Sequence, residues 1–307
     1  MTWLARGLLL VLLSAALWKL GALGWETFQH WMFTRPRLAQ DQALRAAAPV
    51  MDPGLQRAVE EGAAGGSGVI SVYVWDLTSG ASAALAADRS LPAASLVKVP
   101  VLVEVLRQER LGRLDPNELL TIQPEHWTDG SGVLQAQVGR RYSVAQLTDL
   151  MIGQSDNIAA RVLMDRVGVD NVNQTLAALG LTATHLQPLS NRGDSASHVT
   201  SAHDMASLFG LIASGGLVDP TTSEQALHML EVQQANAWLA DDLPWWVKLA
   251  HKWGDLPNAR HDAGVVYTPR GRYVIAVLTE NKPADEAAAA IARVSRAAFD
   301  RLGADQP

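Results

Sequence analysis

The sequence predicts an α+β protein: an antiparallel sheet assembled from both ends of the chain, flanked by helices, with an all-helical subdomain inserted between its halves. Three observations carry this. Strand-like runs lie early, at residues 69–76 and 81–86, and three more lie late, between residues 244 and 279. Between the two groups, apolar residues recur mostly at helical spacing. An alanine-rich stretch at residues 285–302 then closes the chain as a helix. No repeat of fixed period is visible.

In chain order, residues 38–48 and 53–62 read as helices, separated by Pro49-Val50-Met51-Asp52. Asp52 can cap the second of them and Pro53 suits its first turn. Gly65-Gly66-Ser67-Gly68 is a flexible lead-in to Val69-Ile70-Ser71-Val72-Tyr73-Val74-Trp75-Asp76, whose β-branched and aromatic residues make a strand. Thr78-Ser79-Gly80 is its turn, and residues 81–86 a weaker second strand. Ser95 then opens a helix buried by the apolar run at residues 97–106.

Residues 107–124 are polar and mixed, and 124–132 read as a long surface loop. A short helix at 144–152 is broken by Gln154-Ser155-Asp156-Asn157 and resumes over 158–167, with Ala159, Val162 and Leu163 inward. Residues 170–179 form a further helix, with Asp170 as a cap and Gly180 as its stop. Residues 182–200 are largely irregular, and 203–213 and 222–239 are helical. Pro244-Trp245-Trp246 opens a strand that runs to Lys252, and strands at 262–267 and 273–279 turn at Pro269-Arg270-Gly271.

Arg6 precedes an apolar run at residues 7–18 that is too short to span a membrane unaided. A basic start followed by an apolar core is the pattern of an export signal. Trp25, Trp31 and Lys19 also suit an uncleaved anchor at a membrane interface. Cleavage and anchoring both remain open; either places the protein outside the cytoplasm, in the periplasm, outside the cell, or anchored facing outward. The expected division is a signal or anchor at residues 1–35 and one catalytic domain at 36–307, with a helical insert at about 107–240. A formal net charge of -6 and the lack of a long basic block exclude nucleic-acid binding as a main role. The chain has no cysteine, which excludes disulfides, thiolate catalysis and cysteine metal sites.

Chemistry concentrates in three short motifs. In Ser95-Leu96-Val97-Lys98 the hydroxyl and the amine share one helical face. Desolvation lowers a lysine's pKa until it can accept a serine proton, which makes an oxygen nucleophile without histidine. Ser155-Asp156-Asn157 lies between two helical stretches, and Lys252-Trp253-Gly254 ends a strand. Alone, the second motif is also a good helix cap and the third carries no message. Their order and contexts together do.

The set resembles the penicillin-recognising serine enzymes, the class A β-lactamases and the D,D-peptidases related to them, with their Ser-x-x-Lys, Ser-Asp-Asn and Lys-Thr-Gly or Lys-Ser-Gly motifs. The likeness runs from about Asp52 to Leu302, and the spacing from Lys98 to Ser155 resembles class A. Thr128-Asp129-Gly130-Ser131-Gly132-Val133-Leu134 and Met205-Ala206 are further echoes. The resemblance implies a β-lactamase/transpeptidase-like fold, an acyl-enzyme at Ser95, and no metal or cofactor. By the same carry-over, Lys98 is the general base or keeps the proton network poised. Ser155 relays a proton to the leaving nitrogen, and Asn157 bonds Lys98 and the substrate amide. Lys252 supplies positive charge near the Ser155 hydroxyl and a substrate carboxylate, with Trp253 and Gly254 beside it as substrate-binding residues. The backbone N–H groups of Ser95 and Asp255 form the oxyanion hole, and Arg260 is a candidate for holding a substrate carboxylate. The implied substrate is a β-lactam or a peptidoglycan-derived amide, and a monomer is expected.

Two departures qualify the activity. The loop that in class A enzymes carries Glu-Pro-x-x-Asn is shorter here and contains no glutamate. Its nearest match, Gln187-Pro188-Leu189-Ser190-Asn191, puts an amide where the water-activating base belongs. Asp194, the only carboxylate of that stretch, reads as a surface pair with Arg192, a loop-closing salt bridge or a displaced base. His198 and His203 read as structural partners of the loop. Trp253 replaces the family's threonine or serine, and so exchanges a carboxylate-holding hydroxyl for an indole, either walling the cleft or pointing to the other face. Three readings follow: an acyl hydrolase, a D,D-peptidase-like cell-wall enzyme that releases β-lactams slowly, and a catalytically weak binding domain of the envelope.

Overall fold

A computed structural model describes residues 46–188, 198–232 and 238–303. The expected leader, the helix over residues 38–45, Asp194 and Arg192 lie outside the described residues. Within them, no helix is long and apolar enough to cross a membrane.

The first described residues are extended, and 46–48 are not helical. Val50–Met51 form a short strand, β1, whose N–H of Val50 donates to Gly80 O at 2.7 Å. Helix α1 (Pro53–Ala63) follows, capped by Asp52, whose carboxylate accepts from Leu55 N at 2.6 Å. It buries Leu55, Val59 and Ala63. Strands β2 (Val69–Asp76) and β3 (Ala81–Leu85) make the early hairpin. The late meander is β8 (Lys248–Leu256), β9 (Ala259–Thr268) and β10 (Gly271–Glu280), and helix α8 (Ala284–Leu302) closes the fold.

The two ends join because β10 pairs antiparallel with β2, giving the sheet order β1-β3-β2-β10-β9-β8. One expectation is corrected here. The sheet is mixed rather than purely antiparallel, because the Pro49–Asp52 link supplies β1, which lies parallel on the free edge of β3. Alternation along the strands fills two cores. Val72, Val74, Ile275 and Val277 face α1 and α8, whereas Tyr73, Val274, Ala276 and Leu278 join the larger core on the other face.

The insert lies on that second side. A two-residue strand β4 (Leu91–Pro92) leads to a 3₁₀ turn at Ala94–Val97 and then to α2 (Lys98–Arg110). A small hairpin, β5 (Leu119–Thr121) with β6 (Arg141–Ser143), follows; its first strand lies in the stretch read only as polar and mixed. Helices α3 (Val144–Gly153), α4 (Asn157–Val167) and α5 (Val169–Ala178) follow. Gly168 rather than Asp170 starts α5. Strand β7 (Val199–Thr200) pairs with β4, and α6 (Ala202–Ala213) and α7 (Pro220–Glu231) complete the insert.

Helix α7 stops at Glu231, short of the expected residue 239. Residues 244–247 are turn rather than strand, since pairing with β9 begins only at Lys248. Buried Glu104 ties α2 to α5, accepting from Arg107, Gln108 and Thr175 Oγ1, the last at 2.7 Å. A buried carboxylate needs this full set of donors.

Candidate active site

The three motifs converge at the free edge of the sheet. Ser95 lies second in the 3₁₀ turn rather than at the first residue of the α-helix, and Ala94 before it adopts a left-handed backbone (φ 48°). A non-glycine residue there costs on the order of 1 kcal/mol. Ser155 shares that feature (φ 53°), in the break between α3 and α4. Strain of this kind persists only where surrounding contacts over-determine it, which is common at functional sites.

Those contacts centre on Lys98. Its Nζ lies 3.2 Å from Ser95 Oγ, 2.9 Å from Ser155 Oγ, 2.5 Å from Ser155 O and 2.7 Å from Asn157 Oδ1, all within hydrogen-bond reach. The side chain is buried. Burial holds its pKa well below that of an ordinary lysine, the positive charge of Lys252 adds to the effect, and Asp156 partly opposes it. Such an amine is suited to take a proton from Ser95 and pass it on to Ser155.

The Ser155-Asp156-Asn157 break is built locally. Asp156 caps α4, its Oδ1 accepting from Ala159 N at 2.8 Å. Its Oδ2 reaches across to the 128–134 loop and accepts from Val133 N at 2.6 Å and Leu134 N at 3.1 Å. Asn157 donates from Nδ2 to Asp129 O at 3.0 Å, and its own N–H donates to Ser131 O at 3.0 Å. This clamp fixes the amide oxygen on Lys98.

Strand β8 supplies the third wall. A Cβ built on Gly254 would lie 2.9 Å from Ser95 N and 2.8 Å from Ala94 Cβ, so only glycine lets the strand pass the Ser95 turn. The Asp255 amide follows directly. Lys252 emerges on the same face as Gly254, fully buried, and donates to Trp253 O at 2.9 Å. Burial brings its pKa down to about 7, with Asp262 opposing.

Trp253 leaves the strand on the opposite face, beside His251 and Asp255. Because β8 is the outermost strand, the ring lies at an open edge. Its face is 4.8 Å from Lys252 Nζ and its edge packs T-shaped on Trp238 at 6.0 Å. It thus leaves from the far face and still walls the ammonium. Arg260, paired across from Asp255, bonds Asp255 Oδ1 at 3.4 Å and Ala284 O at 2.6 Å, and stacks on Trp238 at 5.0 Å. The guanidinium expected to await a carboxylate is therefore held by contacts within the protein.

The loop residue Gln187 is exposed, and its N–H donates to His198 Nδ1 at 3.0 Å. The His198 carbonyl accepts from Ala93 N at 2.7 Å, which ties the base of the loop to the approach to Ser95. His198 is thus the structural partner expected of it. His203 instead bonds Asp88 at 2.8 Å and stacks on Tyr73.

Sequence reasoning missed His261. Buried behind Gly254, it contacts Pro92 O through Nε2 at 2.7 Å and so props the strand leading to Ser95. Only the register of β9 against β8 places it there. Among the described residues, no group of three or more His, Asp or Glu side chains is placed to hold a metal ion.

A sheet joined from both chain ends, a helical insert, and a buried Ser-Lys pair facing Ser-Asp-Asn and Lys-x-Gly define the β-lactamase/transpeptidase-like class of penicillin-recognising serine proteins. Within that class, the chain belongs to the Beta-lactamase enzyme family, whose model matches residues 54–302.

Its relatives differ in what they are named for. The Beta-lactamase regulatory protein BlaB of Streptomyces cacaoi is 29% identical, over 81% of this chain and 96% of its own. Among solved structures, PBP-A superposes with a TM-score of 0.79 at 29% identity, covering 83% of this chain and 98% of that one. A β-lactamase from Sphaerobacter thermophilus does so at 0.75 and 28%, with the same coverage.

Proposed function

We propose that this protein is an active-serine acyl hydrolase in which Ser95 attacks a β-lactam or peptide-like amide carbonyl. The carrying observation is the Lys98 amine, buried, reduced in basicity and 3.2 Å from Ser95 Oγ. Lys98 takes the serine proton as the Oγ–C bond forms, and Ser155 passes a proton to the leaving nitrogen as the C–N bond breaks. The N–H groups of Ser95 and Asp255 receive the oxyanion. Water then cleaves the ester.

The missing loop glutamate favours a second reading for the final step, a D,D-peptidase-like enzyme that keeps its acyl group. An exposed glutamine at position 187 has no basic oxygen to activate water. The similarity to PBP-A, one variant of which was solved as an acyl-enzyme complex with penicillin G, supports this reading. The similarity to BlaB instead supports a binding or regulatory domain.

Intact-mass analysis separates them. A neutral serine-acylating probe is expected to add its acyl mass at Ser95, and Ser95→Ala is expected to prevent it. A folded protein left unmodified overturns the hydrolase reading in favour of the binding domain. With a chromogenic cephalosporin in excess, a single burst and a lasting adduct mark slow release, whereas steady colour marks turnover. In the first case Gln187→Glu is expected to convert the burst into turnover. Export is proposed as well, supported by Arg6 and the apolar run behind it. Fractionation of cells making the full chain is expected to recover it outside the cytoplasm, and recovery in the cytosol overturns this.

A further inference from the structure

Trp253, Trp238, Arg260 and Asp255 form one connected wall at the end of β8, next to the Lys252 ammonium. Three of its properties bear on what a substrate can present there. Arg260 has Nε on Asp255 and Nη1 on Ala284 O, and its plane lies over Trp238. Its side chain is 21% exposed while that of Asp255 is 43% exposed, so the carboxylate is the more open charge of the pair. Indole faces carry negative potential, which attracts cations and repels anions. The Trp253 face already covers Lys252 Nζ.

An arriving carboxylate would meet a carboxylate and an indole face, and would find Arg260 already neutralised by Asp255 and held by Ala284 O. We infer that this wall makes the protein select acyl donors whose leaving-group side carries an uncharged, flat or apolar group in place of a carboxylate. The inference rests on Ser95 being the nucleophile. It assigns Trp253 and Asp255 as specificity determinants: Trp253 supplies contact area for a neutral group, and Asp255 repels an anion. Like-charge contacts of this type discriminate strongly between partners.

The test uses a matched pair of N-acylglycyl thioesters, one with thioglycolate as leaving group and one with its methylamide. In each, Ser95 Oγ bonds the acyl carbon, the C–S bond breaks, and the serine proton ends on the departing thiol. Thiol release and the acyl mass on Ser95 are followed together. The neutral thioester is expected to show a kcat/KM at least about tenfold above the acid. Trp253→Thr and, separately, Asp255→Asn are expected to narrow that ratio, each by about threefold or more. The asparagine variant covers the case in which loss of the indole unfolds the edge.

A preference for the acid, or a ratio unmoved in both folded variants, overturns the specificity while leaving the nucleophile in place. Acylation by neither thioester overturns the Ser95 reading and the inference with it.

Discussion

Lys98→Met is expected to slow acylation of Ser95 by about 10²–10⁴-fold, the range that a positioned general base contributes. The readout is the rate of mass gain with the neutral acylating probe. The substitution keeps an unbranched chain in the buried slot, so the fold is expected to survive, and near-UV circular dichroism checks this. It leaves Ser95 Oγ, Ser155 and Asn157 Oδ1 without their common donor.

The pH profile gives the same group a second signature. With neutral Lys98 as the proposed base, acylation is expected to rise with pH through its lowered pKa. It falls again as Lys252 loses its charge near pH of about 7. Because the positive charge of Lys252 helps to hold Lys98 low, Lys252→Met is expected to move the rising limb to higher pH. A rising limb that stays in place would mean that Lys98 is not the titrating base.

Stability should follow Lys252 as well, with the sign set by proton uptake. Between its folded value of about 7 and the ordinary lysine value of 10.5, the unfolded chain binds the extra proton. Stability therefore rises with pH across that window and is flat in this term below it. Lys252→Met is expected to remove this contribution and leave a shallower slope from Lys98, whose pKa is lowered as well.

Asp156→Ala is the substitution expected to cost the fold most, about 3 to 5 kcal/mol. It removes the cap of α4 and strands the N–H groups of Val133 and Leu134, three donors held by one fully buried carboxylate. Thermal unfolding should move down by about 10 °C for a domain of this size. Asp156→Asn keeps the shape and one acceptor oxygen, and is expected to lose about half as much. Equal melting of Asp156→Ala and the parent protein would show that the loop finds other acceptors. Since the same loop carbonyls hold Asn157, Asp156→Ala is also expected to lower acylation in whatever fraction stays folded.

The sequence by itself determined the elements whose causes are local. β2 was legible because a run of β-branched and aromatic residues needs no distant partner to favour extension, and its bounds agree with the expectation. The Asp52 cap and the break at residues 154–156 were local chemistry too, although Asp170 was misread as the cap that Gly168 provides. The three motifs were legible for the same reason, as short runs with fixed internal spacing. Their meeting at one place followed from a resemblance and not from any single segment.

Tertiary structure decided the rest, wherever a residue's role depends on pairing across the chain. The Val50–Met51 link became a strand only because β3 had a free edge. Strand β8 took its start from where pairing with β9 begins and not from its own composition. His261 entered the site through the register of β9 on β8, which puts it behind Gly254. Trp253 had two directions in the sequence. The outer position of β8 let it satisfy both, leaving from the far face while its ring covers Lys252 at the open edge. Side-chain alternation is fixed within a strand, but what lies beyond the strand's edge is set by elements distant in the chain. That is why the Ser-x-x-Lys motif was visible in four residues, while the wall at the end of β8 was not.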